Sequence, residues 1–389
     1  MKVAYISGTG FADTDFSIIR EMKNKVDLYY FIIITPYLLK STAVNIQKQY
    51  HVSGIFKPNI YPEVEIFSDF FDIEKTYIVN ICSYRTGFKS SFIYMKLLFM
   101  LKRMNIDVLH LTGYGIQRFL LFILHKKICL TVHDPIPHSG IHSARKDFIF
   151  RKIAFHFFKN FVIFNKKQKD EFISLYKLKH KNIHVSRFGI CVYLLRYTDN
   201  RLPNNEKYIL FFGRITSYKG LDFLFPAMKI VNKTHKEVKL IAAGYCKKYY
   251  FDISEYQDCS YIEIINKYIP NNELAGLIQN ALFVVCPYTD ATQSGVVMSS
   301  FAFNVPVLAA NVGGLSEYVE HMKSGYIVPP KDVKELANGI KYLLDHKELL
   351  DEQRKYIDEK YKNGEYSWNK ITDDIIAFYN AFIQNRKIK

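Results

Sequence analysis

Apolar residues recur along the chain in short blocks closed by glycine, proline, asparagine or aspartate, and longer stretches with helical spacing lie between them. Residues 2–7, 29–36, 107–113, 128–132, 162–164, 208–212, 238–243, 263–265, 282–286 and 305–310 are such blocks, rich in Val, Ile, Leu and Phe. Short continuous runs bounded by turn formers predict strands buried on both faces, as in parallel sheets covered by helices. Among the helical stretches, 89–105 sets Phe92, Met95, Leu98, Phe99 and Leu101 beside Lys96, Lys102 and Arg103, a stripe that predicts packing on its own sheet, with contact to anionic lipid as the alternative reading. Residues 333–344 and 371–384 have a helical pattern too, whereas 40–90 show no clear period. Strand alternating with helix predicts an α/β chain.

At 389 residues the chain exceeds one ordinary core and fits two domains. The stretch 198–207, with Asp199, Asn200, Pro203, Asn204 and Asn205, is poor in apolar residues and rich in turn formers. It predicts a linker between domains at 1–197 and 208–365, followed by a last helix within 366–389 that carries the sole tryptophan, Trp368.

Composition narrows the function. Hydrophobic residues at 49% and charged residues at 23% exclude wholesale disorder. A net charge of +16 points to an anionic partner: nucleic acid, a nucleotide sugar, or an anionic membrane face. Residues 145–180 interleave many Lys and Arg with phenylalanines at core spacings, which favours a basic face turned to phospholipid over base stacking, so nucleic acid is not expected as a partner. The six cysteines show no metal or redox spacing, and Cys129, Cys191 and Cys286 read as reduced core residues of a cytosolic protein. The first residues run straight into a strand pattern, and no apolar run approaches the ~20 residues of a membrane span. The expected location is therefore cytoplasmic, with any membrane contact made from the surface, at the inner face of the plasma membrane.

Five loops carry candidate chemistry. After 208–212 come Gly213-Arg214 and, close behind, Lys219-Gly220-Leu221-Asp222. Gly213 permits a tight exit, Arg214 can fork onto phosphate oxygens, and Lys219 adds a point charge, so the trio suits a diphosphate. After 282–286, the residues Thr292, Ser294 and Gly295 announce a helix with Val296, Val297, Met298, Phe301 and Ala302 inward, whose free N–H groups would favour an anion. The strand at 305–310 leads to Asn311-Val312-Gly313-Gly314 and a helix near Ser316-Glu317, making a second loop at the same sheet edge. In the amino-terminal half, Gly8-Thr9-Gly10 follows the first strand, and His133-Asp134-Pro135-Ile136-Pro137-His138 follows 128–132. Polar residues at the carboxyl end of a parallel strand point toward a ligand crevice.

These stretches together resemble a known family. Pro306-Val307, then Gly313-Gly314-Leu315-Ser316-Glu317, then Ser324-Gly325-Tyr326-Ile327-Val328-Pro329-Pro330 and Asp332, joined to Gly213-Arg214 and Lys219-Gly220 upstream, are similar to the donor-binding half of the retaining glycosyltransferases of family 4. The resemblance implies the GT-B fold, two Rossmann-like doubly wound parallel-sheet domains facing a central cleft. It implies a sugar moved from a UDP- or GDP-sugar to a hydroxyl acceptor, a lipid-linked or growing bacterial surface glycan. No cofactor and no metal are implied, the two cations Arg214 and Lys219 holding the donor diphosphate. His133 matches a family histidine near the transferred sugar, with Asp134 and His138 ranked behind it. Gly8 and Gly10 would face the donor phosphates. The last helix would cross back onto the first domain. The family usually places two glutamates eight positions apart on the loop and helix of 290–299, and here Ala291 and Ser299 stand there. Asp290, Gln293, Ser294 and Ser299 are the residues available to contact sugar and ribose, with Gly213, Gly295 and Val296 completing the expected donor site and Glu317 ranked behind them. A non-catalytic partner subunit of this fold and a nucleotide-sugar epimerase are the other readings of the same residues.

Overall fold

The computed structural model describes all residues except 40, 83–87, 114–127, 137–143, 199–206, 292–293 and 388–389. It divides the chain into two compact units, Met1–Phe188 with Trp368–Lys389, and Gly189–Ser367.

The first unit is built on β1 (Lys2–Gly8), β2 (Asp27–Ile34), β3 (Gly54–Phe56), β4 (Thr76–Asn80), β5 (Val108–Thr112), β6 (Ile128–Val132), β7 (Asn160–Ile163) and β8 (Asn182–Val185). Their spatial order is β3-β4-β2-β1-β5-β6-β7-β8. All neighbours run parallel except β3, which pairs antiparallel with β4 at one edge. This edge is where the hydrophobic pattern gave no reading: β3 has three residues, all half-buried, and β4 mixes Thr and Asn with its apolar positions.

Alternation along the strands sorts the side chains between two faces. Ala4, Ile6, Leu109, Leu111, Leu130, Phe161 and Ile163 join one core with Ile93, Leu97, Leu98 and Leu101 of the helix Phe88–Arg103, and with Ala154, Phe155 and Phe158 of the helix Ala144–Phe157. The stripe expected to pack on the sheet is therefore split. Leu98 and Leu101 do pack, but Phe92, Met95 and Phe99 lie on the outer face of the same helix, exposed.

Tyr5 and His110, which alternate with that core set, serve the other face. There the helix Ala12–Met22 packs beside the terminal helix Trp368–Lys387. His110 on β5 bonds through Nδ1 to the Tyr379 hydroxyl, and through Nε2 to Thr131 Oγ1 at 2.7 Å. His184 stacks on Phe378 at 5.2 Å, and Lys25 pairs with Asp373 at 2.7 Å. The last helix thus belongs to the first unit, and Trp368 is buried near Phe188 at its start.

The second unit holds β9 (Tyr208–Phe212), β10 (Lys239–Ala243), β11 (Ile262–Ile265), β12 (Val284–Cys286), β13 (Val307–Ala310) and β14 (Gly325–Val328), all parallel, in the order β11-β10-β9-β12-β13-β14. Winding proceeds one way from β9 and the other way from β12. At such a reversal the loops diverge and leave a crevice beyond the carboxyl ends of the strands. The unit begins at Gly189, ahead of the polar stretch expected to divide the chain. The 3-10 helix Val192–Tyr197 packs on the helices Asn271–Asn280 and Gly295–Ala302, and Cys191 N donates to Met298 O at 3.2 Å. Of the stretch 198–207, residues 199–206 lie outside the described residues.

Candidate functional site in the second unit

The chain leaves β9 through Gly213, at φ +110°, into an exposed Arg214 and a single 3-10 turn, Ser217–Lys219. Gly220 closes the turn at φ +72°, and a Cβ there would lie 1.9 Å from the Pro287 carbonyl oxygen, so only glycine lets this loop rest on the one following β12. Thr289 N donates to Tyr218 O at 2.8 Å and fastens the two loops together. Lys219 is carried between them. Its ammonium stands 3.7 Å from the ring centroid of Tyr288 and 5.2 Å from that of Tyr218, a cation held by two aromatic faces. Burial of that ammonium lowers its pKa from the usual lysine value to about 8; the Cys286 thiol opposes the shift and the Arg214 charge adds to it. Arg214 and Lys219 therefore feel one another, and an anion between them relieves their repulsion.

The helix Gly295–Ala302 opens at the same place. Ser294 precedes it in an extended conformation and is buried, while Gly295 is exposed. A Cβ on Gly213 would meet Val296 Cγ2 at 3.5 Å, so the start of this helix abuts the exit from β9. Its first N–H groups have no partner within the helix, as at any helix start, and they stand beside the strand exit that bears Arg214. Asp290 is half-buried, Ala291 and Ser299 are buried, and Gln293 lies outside the described residues together with Thr292. The loop after β13 closes in through Gly313, at φ +49°, whose added Cβ would be 1.6 Å from the Ala291 carbonyl oxygen. Gly314 N donates to that oxygen at 3.3 Å. Glu317 is half-buried on the one-turn helix Leu315–Tyr318 that follows.

In the first unit the corresponding sheet edge carries the other candidates. His133 stands one residue beyond β6 and stacks on Phe11 at 4.6 Å, directly after the Gly8-Thr9-Gly10 turn, with Phe164 tilted against it at 5.3 Å. Burial lowers its pKa to about 4, against the pull of Asp134, so the imidazole is neutral at pH 7. Asp134 is half-buried and its carbonyl accepts from Arg151 at 2.6 Å. Gly8 ends β1 at φ −98°, and a Cβ on Gly10 would make an ordinary 3.5 Å contact with Leu38, so neither glycine is required by backbone strain. His138 lies outside the described residues.

The winding reversal, with an exposed arginine, a ring-clamped lysine and a helix start beside it, falls where the chain has relatives. Residues 198–362 match the family described as glycosyl transferases group 1. An uncharacterized glycosyltransferase of Methanocaldococcus jannaschii is 27% identical over 188 residues, 47% of each chain, so the match spans about half that relative's length. The capsular polysaccharide biosynthesis glycosyltransferase CapM of Staphylococcus aureus is 24% identical over 62% of this chain and 67% of its own. Among solved structures, Anabaena HepE in complex with UDP-glucose superposes with a TM-score of 0.65 at 13% identity, covering 97% of this chain and 99% of that one. The chain has the GT-B fold, an eight-stranded and a six-stranded parallel-type sheet in separate units.

Within the group 1 match, Tyr218 and Tyr288 are the residues that sequence reading passed over. Aromatic residues next to a turn lysine and after a strand proline carry no distinct pattern, and only the meeting of the two loops makes them a pair. In the first unit the unread group is Asp15. Its Oδ1 accepts from the Tyr5 hydroxyl at 2.7 Å and from Thr112 Oγ1 at 3.1 Å, and burial raises its pKa to about 7 against those bonds and one from Ser7.

Proposed function

We propose that the protein is a retaining glycosyltransferase that moves a sugar from a UDP- or GDP-sugar to a hydroxyl acceptor on a lipid-linked or growing bacterial surface glycan, working at the inner face of the plasma membrane. The observation that carries this reading is the convergence of Arg214, Lys219 and the Gly295 helix start on the winding reversal of a unit that matches group 1 glycosyl transferases. The resemblance of the sequence to family 4, the UDP-glucose complex of HepE and the capsular role in the name of CapM support the donor and acceptor classes.

In this mechanism the acceptor oxygen bonds to the anomeric carbon on the face from which the diphosphate leaves, and the acceptor proton passes to a departing phosphate oxygen. Negative charge grows on the diphosphate as its bond to the sugar breaks. In this reading Arg214 and the ring-clamped Lys219 neutralise it, the task a divalent ion would otherwise perform, and no cofactor or metal is called for. His133 is assigned to the transferred sugar as a neutral hydrogen-bonding group. Asp290 and Gln293 take over sugar contact from the family glutamate replaced by Ala291, and Ser299 takes over ribose contact.

Calorimetry with UDP and GDP, followed by hydrolysis of a panel of nucleotide sugars, tests the proposal. Arg214→Ala and Lys219→Ala should each lower turnover by about 10²-fold or more, the order expected for losing one preorganised charge. Near-wild-type rates in both variants refute the assignment. Failure to bind either nucleotide favours a non-catalytic partner subunit, and binding without sugar transfer favours an epimerase.

A further inference from the structure

The outer face of the first unit carries large apolar side chains that its fold leaves uncovered. On the helix Phe88–Arg103, Phe92 and Phe99 are each 59% exposed and Met95 accompanies them, all on one side of about two turns. On the helix Ala144–Phe157, Ile149, Ile153 and Phe157 repeat every fourth residue and are exposed as well. The opposite sides of both helices enter the same core on the same face of the sheet, so both apolar rows look outward from one side of this unit. Isolated exposed apolar residues are ordinary, but two such rows on one side of a unit are not, and they mark a surface that meets another phase or partner.

Charge identifies that phase. The helix Phe88–Arg103 contains Lys89, Lys96, Lys102 and Arg103 and no acidic residue, and the helix Ala144–Phe157 contains four basic residues against Asp147. Lys96 Nζ lies 4.9 Å from the Phe92 centroid and the Arg103 guanidinium carbon 4.8 Å from that of Phe99, so the exposed rings and the cations form one amphipathic surface. Around Phe92, Met95, Phe99 and Arg103 there is a groove of about 560 Å³. Face-to-face pairing of this surface with its own copy would bring two positive rows together with no acid on the Phe88–Arg103 helix to compensate. Anionic lipid satisfies both components, headgroups meeting Lys and Arg while the rings enter the acyl boundary.

We propose that the outward rows of these two helices, centred on Phe92, Phe99, Ile153 and Phe157, dock the first unit onto an anionic phospholipid surface. The assignment rests on the proposed function, gives its membrane partner a place on the first unit, and uses none of the residues of the donor site. Binding combines ring insertion with attraction, so either half of the surface is insufficient alone.

The test is vesicle sedimentation of the full chain with phosphatidylcholine alone and with phosphatidylcholine containing phosphatidylglycerol. The wild type should pellet with the anionic vesicles and stay in solution with the neutral ones. The doubles F92S/F99S and K96E/R103E should each lose about tenfold or more of that binding, since each basic side chain near a charged surface contributes roughly a fivefold factor and each inserted ring a comparable one. Both doubles should keep the wild-type circular dichroism spectrum and UDP affinity, which separates loss of docking from misfolding and from failure of the donor-site reading. Equal recovery on both vesicle types overturns the proposal, as does unchanged binding in the doubles. A wild-type dimer that F92S/F99S converts to monomer in analytical ultracentrifugation, without vesicle binding, overturns it in favour of a second copy.

Discussion

Lys219 shows how much a single side chain depends on its surroundings. An exposed turn lysine keeps its proton far above neutrality, whereas this ammonium, enclosed by Tyr218 and Tyr288 and near Arg214, has its pKa lowered to about 8. Its charge is therefore lost as pH rises through that value in the unliganded protein. UDP affinity measured by calorimetry should weaken above pH 8, and Lys219→Arg, which stays charged, should carry binding to higher pH. A flat profile in the wild type would remove Lys219 from the phosphate contacts. Asp15 has the opposite sense. Its folded pKa is raised to about 7, so between its unfolded value of about 4 and that point the folded state holds the extra proton, and stability falls as pH climbs through this window. Asp15→Asn should raise the melting temperature relative to wild type at pH 8 and change it little at pH 4.

Between elements, what matters is how closely loops approach. The crevice of the second unit is assembled where the loops after β9, β12 and β13 touch backbone to backbone, at Gly220 against Pro287 and at Gly313 against Ala291. Gly313→Ala adds the cost of a left-handed backbone for a residue with a Cβ, ~1–2 kcal/mol, to a direct clash with a carbonyl. The variant should lose at least that much stability in urea titrations and bind UDP more weakly. An alanine there with unchanged affinity would mean that the β13 loop takes no part in the site. The helix Phe88–Arg103 teaches a related lesson: its apolar residues cover more than one face, and periodicity alone could not say which of them the sheet would take.

The whole molecule is two units, and the chain enters the first one twice. Trp368–Lys387 completes that unit by burying Ile375, Tyr379 and Phe382 and by giving His110 its hydroxyl partner. Truncation after Ser367 should expose part of the first core and lower the melting transition of that unit, while the separate second unit keeps its UDP affinity. Scanning calorimetry with and without UDP distinguishes the two effects. Loss of UDP binding in the truncated chain would show that the second unit needs the helix as well.

Most strand positions, the α/β class and the existence of two sheets were legible from the sequence, because buried parallel strands are apolar without interruption and end in turn formers. The strands β3, β4, β8 and β14, which are short, half-buried or mixed with polar residues, were not read. Arg214 and Lys219 could be named as candidates for a similar reason: a glycine exit followed by two cations is a local pattern. Three features were decided only by tertiary structure, since each joins residues far apart in the chain. They are the aromatic clamp on Lys219, the buried carboxyl of Asp15 among Tyr5 and Thr112, and the exposure of Phe92 and Phe99. Burial, and with it pKa and the identity of an outward face, depends on what the rest of the fold brings alongside, and a one-dimensional pattern holds no record of that.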